Sequence, residues 1–134
     1  MTQEDKELLL KDISARLPYS VVIHCTDNDT DYKCFLTTDI LNELLHNIEY
    51  YDYKPYLRPM SSMTEEEKDE LYTAMDWYGR IDENGNVYTK GQDKVYRETF
   101  YDYTDWFNAH HFDYRGLIEK ELALEAPEGM YNLA

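Results

Sequence analysis

The sequence predicts an α+β fold: a small antiparallel sheet built on an N-terminal hairpin and packed with amphipathic helices. Three observations predict it. Apolar residues recur three and four apart in several separate stretches, residues 19–25 and 32–37 switch to the β-branched and aromatic composition of paired strands, and Pro or Gly punctuates the chain between these patterns. At 134 residues, 43% of them apolar, the chain has the size and composition of one ordinary domain that buries its own core without metal or disulfide support. A single domain over 1–134 is expected.

Residues 4–17 form the first helix, with Leu9, Leu10, Ile13 and Leu17 on one side, acidic residues in the first turn and Pro18 as a stop. A hairpin over about 19–37 follows, its strands joined across the polar segment 26–31. With the turn centred on Asp29 and Thr30, Cys25 lies opposite Cys34, and Val21, Ile23, Cys25, Cys34 and Leu36 share the core face. Thr38 or Asp39 then caps a helix over 39–48, where Ile40, Leu41, Leu44, Leu45 and Ile48 make an apolar stripe.

Residues 50–63 form a long connector in which Pro55 and Pro59 forbid helix and permit an extended or edge-strand path. Thr64 and Glu67 make a capping box for a helix over 64–78, with Leu71, Ala74, Met75 and Tyr78 on its buried stripe and Gly79 at its end. Asn84-Gly85 suits a turn between Ile81 and Val87-Tyr88, so residues 80–97 read as a small hairpin or an irregular excursion. The densest aromatic stripe comes last: Phe100, Tyr103, Phe107, His110 and Tyr114, with Trp106 beside them, predict a helix over 101–111. A break near Phe112-Asp113, a short helix over 114–120 and a terminal segment at 122–125 complete the chain.

Charge narrows the function classes. Twenty-eight acidic residues against 13 basic ones give a net charge of −15. Such a field opposes direct binding to nucleic acid or an anionic membrane, which both favour Lys and Arg, and it favours a partner that is basic or neutral. The chain has no apolar run near the roughly 20 residues of a membrane span, and its first residues lack the basic-then-apolar pattern of a signal peptide, so a cytoplasmic location is expected. The 14 tyrosines carry hydroxyls that need water or a partner, which suits the rim of a core or a contact surface.

The strings Lys6-Glu-Leu-Leu-Leu-Lys-Asp-Ile-Ser-Ala-Arg-Leu-Pro-Tyr19, Lys54-Pro-Tyr-Leu-Arg-Pro-Met-Ser-Ser-Met-Thr-Glu-Glu-Glu67, His110-His-Phe-Asp-Tyr-Arg-Gly-Leu-Ile-Glu-Lys120 and Leu122-Ala-Leu-Glu-Ala-Pro-Glu-Gly-Met-Tyr131 span about half the chain. Across them the protein resembles a group of small uncharacterised acidic proteins encoded by gut Bacteroidetes and by their phages and mobile elements. The resemblance implies a genomic setting; it brings no catalytic residue, cofactor or partner. It also marks one departure, Glu121, where the group more often carries a helix-ending glycine.

Among candidate chemical groups, His110, His111 and Asp113 are the metal or acid–base constellation, since imidazole and carboxylate are the usual borderline-metal ligands. Adjacent helical residues diverge by about 100°, which opposes joint ligation by the two histidines. His110 is then a core histidine, and His111 and Asp113 bond the helix end and the following turn. Asp27, Asp29 and Asp31 begin as a calcium loop does, but the glycine and bidentate glutamate that such a loop needs are missing. Cys25 and Cys34 read as a redox pair, as a nucleophile with His24 or as core thiols; His24 faces the opposite side of its strand from Cys25, and core thiols are favoured. No cofactor motif occurs.

The functional expectation is a noncatalytic protein-binding or accessory protein whose surface includes Tyr50, Tyr51, Tyr53, Tyr56 and Arg58. One alternative is an acidic mimic of nucleic acid that inhibits a DNA-handling or defence protein, and another is an enzyme or metal protein using His110, His111 and Asp113.

Overall fold

The computed structural model describes residues 2–27, 30–47, 53–74, 79–81, 87–89 and 104–131. Helix α1 (Gln3–Ala15) starts at Thr2, whose side chain accepts from the Asp5 amide while Asp5 reaches back to the Thr2 amide. This satisfies two of the amides that a helix start leaves unpaired. Strands β1 (Val22–Asp27) and β2 (Thr30–Phe35) form the hairpin, and α2 (Thr38–Asn47) follows. After β3 (Lys54–Leu57) come a 3-10 turn at Met60–Ser62, α3 (Glu65–Ala74), the antiparallel pair β4 (Gly79–Ile81) and β5 (Val87–Thr89), α4 (Thr104–Ala109) and the two-residue strand β6 (Leu124–Glu125). The fold is α+β, with a four-stranded sheet in the order β2-β1-β3-β6. Ile48, Met75, Tyr78 and the expected Asn84-Gly85 turn lie outside the described residues.

Two expectations about the sheet are corrected. Cys25 pairs with Tyr32, and Ile23 with Cys34, so the register is displaced by two residues from the one that sets the cysteines opposite each other. Because side chains alternate with period two, that displacement leaves the same residues on the core face: Val21, Ile23, Cys25 and Leu36 are buried. The connector strand β3 is not an edge. It pairs antiparallel with β1 and parallel with β6. Pro55 is tolerated there because the β6 ladder starts at Tyr56, one residue beyond the position that lacks an N–H.

Two helical expectations also change, for one shared reason. Helix α4 ends at Ala109 instead of continuing to 111, and residues 114–120 form turns instead of a helix. After α4, His111 adopts a left-handed φ of 63°, with its amide bonded to Asn108 O at 3.1 Å and the Phe112 amide to Phe107 O at 3.0 Å. The same pair of bonds recurs ten residues later. Glu121, at φ 60°, donates to Ile118 O and Leu122 donates to Leu117 O, both at 3.0 Å. Each is a Schellman closure, in which a left-handed residue reverses the chain and an apolar pair, Phe107 with Phe112 or Leu117 with Leu122, closes beneath it.

Two apolar clusters hold the layers together. Leu9, Ile13, Val21, Ile23, Leu44, Tyr53, Leu57 and Leu117 join α1, the sheet, α2 and the 117–123 turns. Met60, Met63, Leu71, Phe107, Phe112 and Tyr114 join α3 and α4. A buried charge network lies on α1: Asp12 and Arg16 are both 0% exposed and pair one helical turn apart at 2.7 Å. Arg115 also donates to Asp12, at 2.9 Å, and Arg16 donates to Phe112 O at 2.7 Å. The apolar stripe alone did not reveal that this face of α1 carries an ion pair.

Candidate binding groove

Arg58 follows β3 directly and is fixed by backbone bonds on both sides: its amide donates to His111 O at 2.7 Å, and its carbonyl accepts from the Asp113 amide at 2.8 Å. Its guanidinium grips Glu67 with two bonds of 2.8 and 2.7 Å, donates to His110 O at 3.2 Å, and lies over the Phe112 ring 4.1 Å from its centroid. Glu67 is set by the expected capping box, accepting from the Thr64 amide at 3.0 Å while Thr64 Oγ1 accepts from the Glu67 amide at 3.1 Å. Burial alone would raise the Glu67 carboxyl, but Arg58 and the Thr64 bonds outweigh it and hold the group below the usual carboxylate range.

His110, His111 and Asp113 are each committed to different partners. The His110 ring lies against Trp106, with centroids 4.2 Å apart and planes inclined by 31°, Nδ1 3.4 Å from Glu67 and Nε2 3.7 Å from a Glu70 oxygen. It is half-buried beside Trp106 and Phe112, and Tyr103, which the aromatic stripe set on the same face, lies outside the described residues. His111 is buried and stacks on Tyr131. Asp113 accepts from the amides of Leu117 and Ile118 at 2.8 and 3.0 Å and so anchors the following turns, the role expected of it. Among the described residues, no group of three or more His, Cys, Asp and Glu side chains is placed to hold a metal ion.

The tyrosine surface is corrected as well. Tyr53 and Tyr56 are 5% and 8% exposed, so their rings are core and not contact surface. Tyr53 donates to Glu43 at 3.2 Å, and the Tyr56 hydroxyl lies 3.2 Å from His24 Nδ1. Tyr56 belongs to β3 and Tyr53 directly precedes it; the interior position of this strand in the sheet was not legible from Pro55 and Pro59. Tyr50 and Tyr51 lie outside the described residues. Arg58 is also committed, through Glu67.

Arg58, Glu67 and His110 instead form the floor of a groove of about 680 Å³. One wall is the start of α3, with Ser62, Thr64, Glu66 and Glu70; the other is residues 125–131, with Glu125, Pro127, Glu128 and Tyr131. Among the described residues, five glutamates line it against one arginine and one histidine. The arginine is neutralised by Glu67, which leaves four exposed carboxylates facing the open space. Sequence reasoning read the acidic first turn of α3 only as a helix cap; the signal that could have extended it was a second acidic pair, Glu125 and Glu128, flanking Pro127.

Comparison with protein-family models, curated proteins and solved structures finds no match to the chain. Among the described residues, no helix is long and apolar enough to cross a membrane.

Proposed function

We propose that the protein is a noncatalytic binding or accessory protein whose groove receives a basic segment of another protein. The observation that carries this reading is the charge of the lining: Glu66, Glu70, Glu125 and Glu128 surround a cleft in which Arg58 is already paired with Glu67. A lysine- or arginine-bearing peptide would meet carboxylates on both walls, with Pro127 and Tyr131 offering apolar contact to its side-chain stems. The net charge of −15 adds long-range steering toward such a partner.

The test is a fluorescence-polarisation titration with Lys/Arg-rich peptides, an acidic peptide of equal length serving as control. Binding should weaken steeply with added salt. A variant carrying Glu66→Gln, Glu70→Gln, Glu125→Gln and Glu128→Gln should lose at least about tenfold in affinity, since each exposed charge contributes only a fraction of a kcal/mol. A second variant neutralises four exposed carboxylates elsewhere, Glu4, Glu7, Asp39 and Glu119. An equal loss in both variants would reduce the binding to net charge and remove the groove from the account.

A further inference from the structure

The two cysteines meet across the β1–β2 hairpin. As diagonal neighbours on its core face, they bring their Sγ atoms to 3.0 Å while both remain free thiols. A disulfide needs an S–S distance of about 2.0 Å, so about 1 Å separates the two sulfurs from bonding distance. The two thiols differ in access. Cys25 is 1% exposed. Cys34 is half-buried on β2, the strand at the edge of the four-stranded sheet. Ile23 O lies 3.9 and 4.0 Å from the two sulfurs, so the pair shares one backbone acceptor.

We propose that Cys25 and Cys34 are an oxidisable dithiol that closes to an intramolecular disulfide by exchange with a small-molecule disulfide such as oxidised glutathione. Cys34, the accessible group, attacks as its thiolate and displaces one small thiol, forming a mixed disulfide. Cys25 then gives up its proton, attacks the Cys34 sulfur and displaces the second small thiol. The protein loses two protons and two electrons, and the small disulfide takes them up to become two thiols. Burial, followed by the contact with Cys34, holds the Cys25 thiol above its ordinary range. Cys25 is thus a poor first nucleophile, and its reaction depends on a mixed disulfide held against it. The product tethers the edge strand β2 to the interior strand β1 and closes the hairpin covalently.

The full chain is equilibrated in buffers of reduced and oxidised glutathione of increasing oxidised fraction, alkylated, and mapped by mass spectrometry. The expected result is a single two-electron transition to a monomer lighter by two hydrogens, with Cys25 and Cys34 in one linked peptide and full reversal by dithiothreitol. Cys25→Ala should trap a stable glutathione adduct on Cys34, whereas Cys34→Ala should leave Cys25 unmodified in the folded protein. Persistence of two alkylatable thiols in excess oxidised glutathione would overturn the proposal, as would wild-type protein that ends as mixed disulfides or as covalent dimers. Circular dichroism of each variant identifies any that fails to fold, and the wild-type titration decides the question without them.

Discussion

The imidazole of His111 lies flat on the ring of Tyr131, with centroids 3.7 Å apart and planes inclined by 13°. The stack joins the left-handed turn after α4 to the last described residue of the chain, and His111 Nδ1 is buried without a hydrogen-bond partner among the described residues. Burial, then the charges of Arg16, Arg58 and His110, push the imidazole down from 6.5 to about 4. The folded value is the lower one, so the unfolded chain takes up the proton first as the pH falls. His111 therefore costs no stability above 6.5, and roughly 3 kcal/mol is lost as the pH falls from there through about 4. Burial raises the neighbouring Asp113 carboxyl, which opposes this loss at the acid end. His111→Asn keeps a side chain that tolerates left-handed φ and removes the titration. Urea midpoints across the window should fall with acid in wild type and run flatter in the variant; equal slopes would refute the assignment.

The hydroxyl of Tyr131 stands in for a rung of the sheet. It accepts from the Val22 amide at 2.8 Å and donates to Tyr56 O at 2.7 Å. In the β1–β3 register, where Ile23 faces Pro55, Val22 and Tyr56 would be the next pair. Tyr131→Phe leaves both backbone groups unpaired and should cost about 1–3 kcal/mol. Hydrogen exchange of the Val22 amide should accelerate along with the drop in denaturation midpoint. Destabilisation without a change at Val22 would point to lost packing instead.

Glu121 holds a left-handed φ of 60° with an exposed side chain, a conformation that disfavours any residue with a Cβ. Glu121→Gly should stabilise the protein by about 0.5–1 kcal/mol, the relief at the turn being partly offset by greater freedom in the unfolded chain. Glu121→Ala keeps the Cβ and should bring no gain. Thermal unfolding of the two variants side by side decides this, and an equal response would trace any gain to the removed charge.

Among the described residues, Asp12 is the acidic member of the network it forms with Arg16 and Arg115. Asp12→Asn preserves size and leaves two guanidinium groups, one of them 0% exposed, without their counter-charge. The expected loss is about 3–5 kcal/mol by guanidinium chloride denaturation. A loss below about 1 kcal/mol would show that water solvates these groups in the folded state.

Local chemistry was legible wherever one stretch of chain settled it. The Thr64–Glu67 capping box, the hairpin and its core face follow from signals within a few residues of each other, whereas α2 is capped one residue before the expected Thr38 or Asp39, by Thr37, whose Oγ1 accepts from the Ile40 amide at 3.3 Å. The candidate site was less legible. Arg58 was singled out, but its partner Glu67 sits nine residues away and its second contact, His110 O, fifty-two.

Periodicity and capping marked α1, the hairpin, α2 and α3, because those preferences are set between near neighbours. Tertiary structure alone decided that β3 lies inside the sheet, since β6 arrives from nearly seventy residues downstream to pair with it. It also turned Tyr53 and Tyr56 inward, stacked His111 on Tyr131, and set the glutamates of α3 across a groove from those of the C-terminal segment. Each of these depends on which distant surfaces meet when apolar area is buried, and no local pattern carries that information.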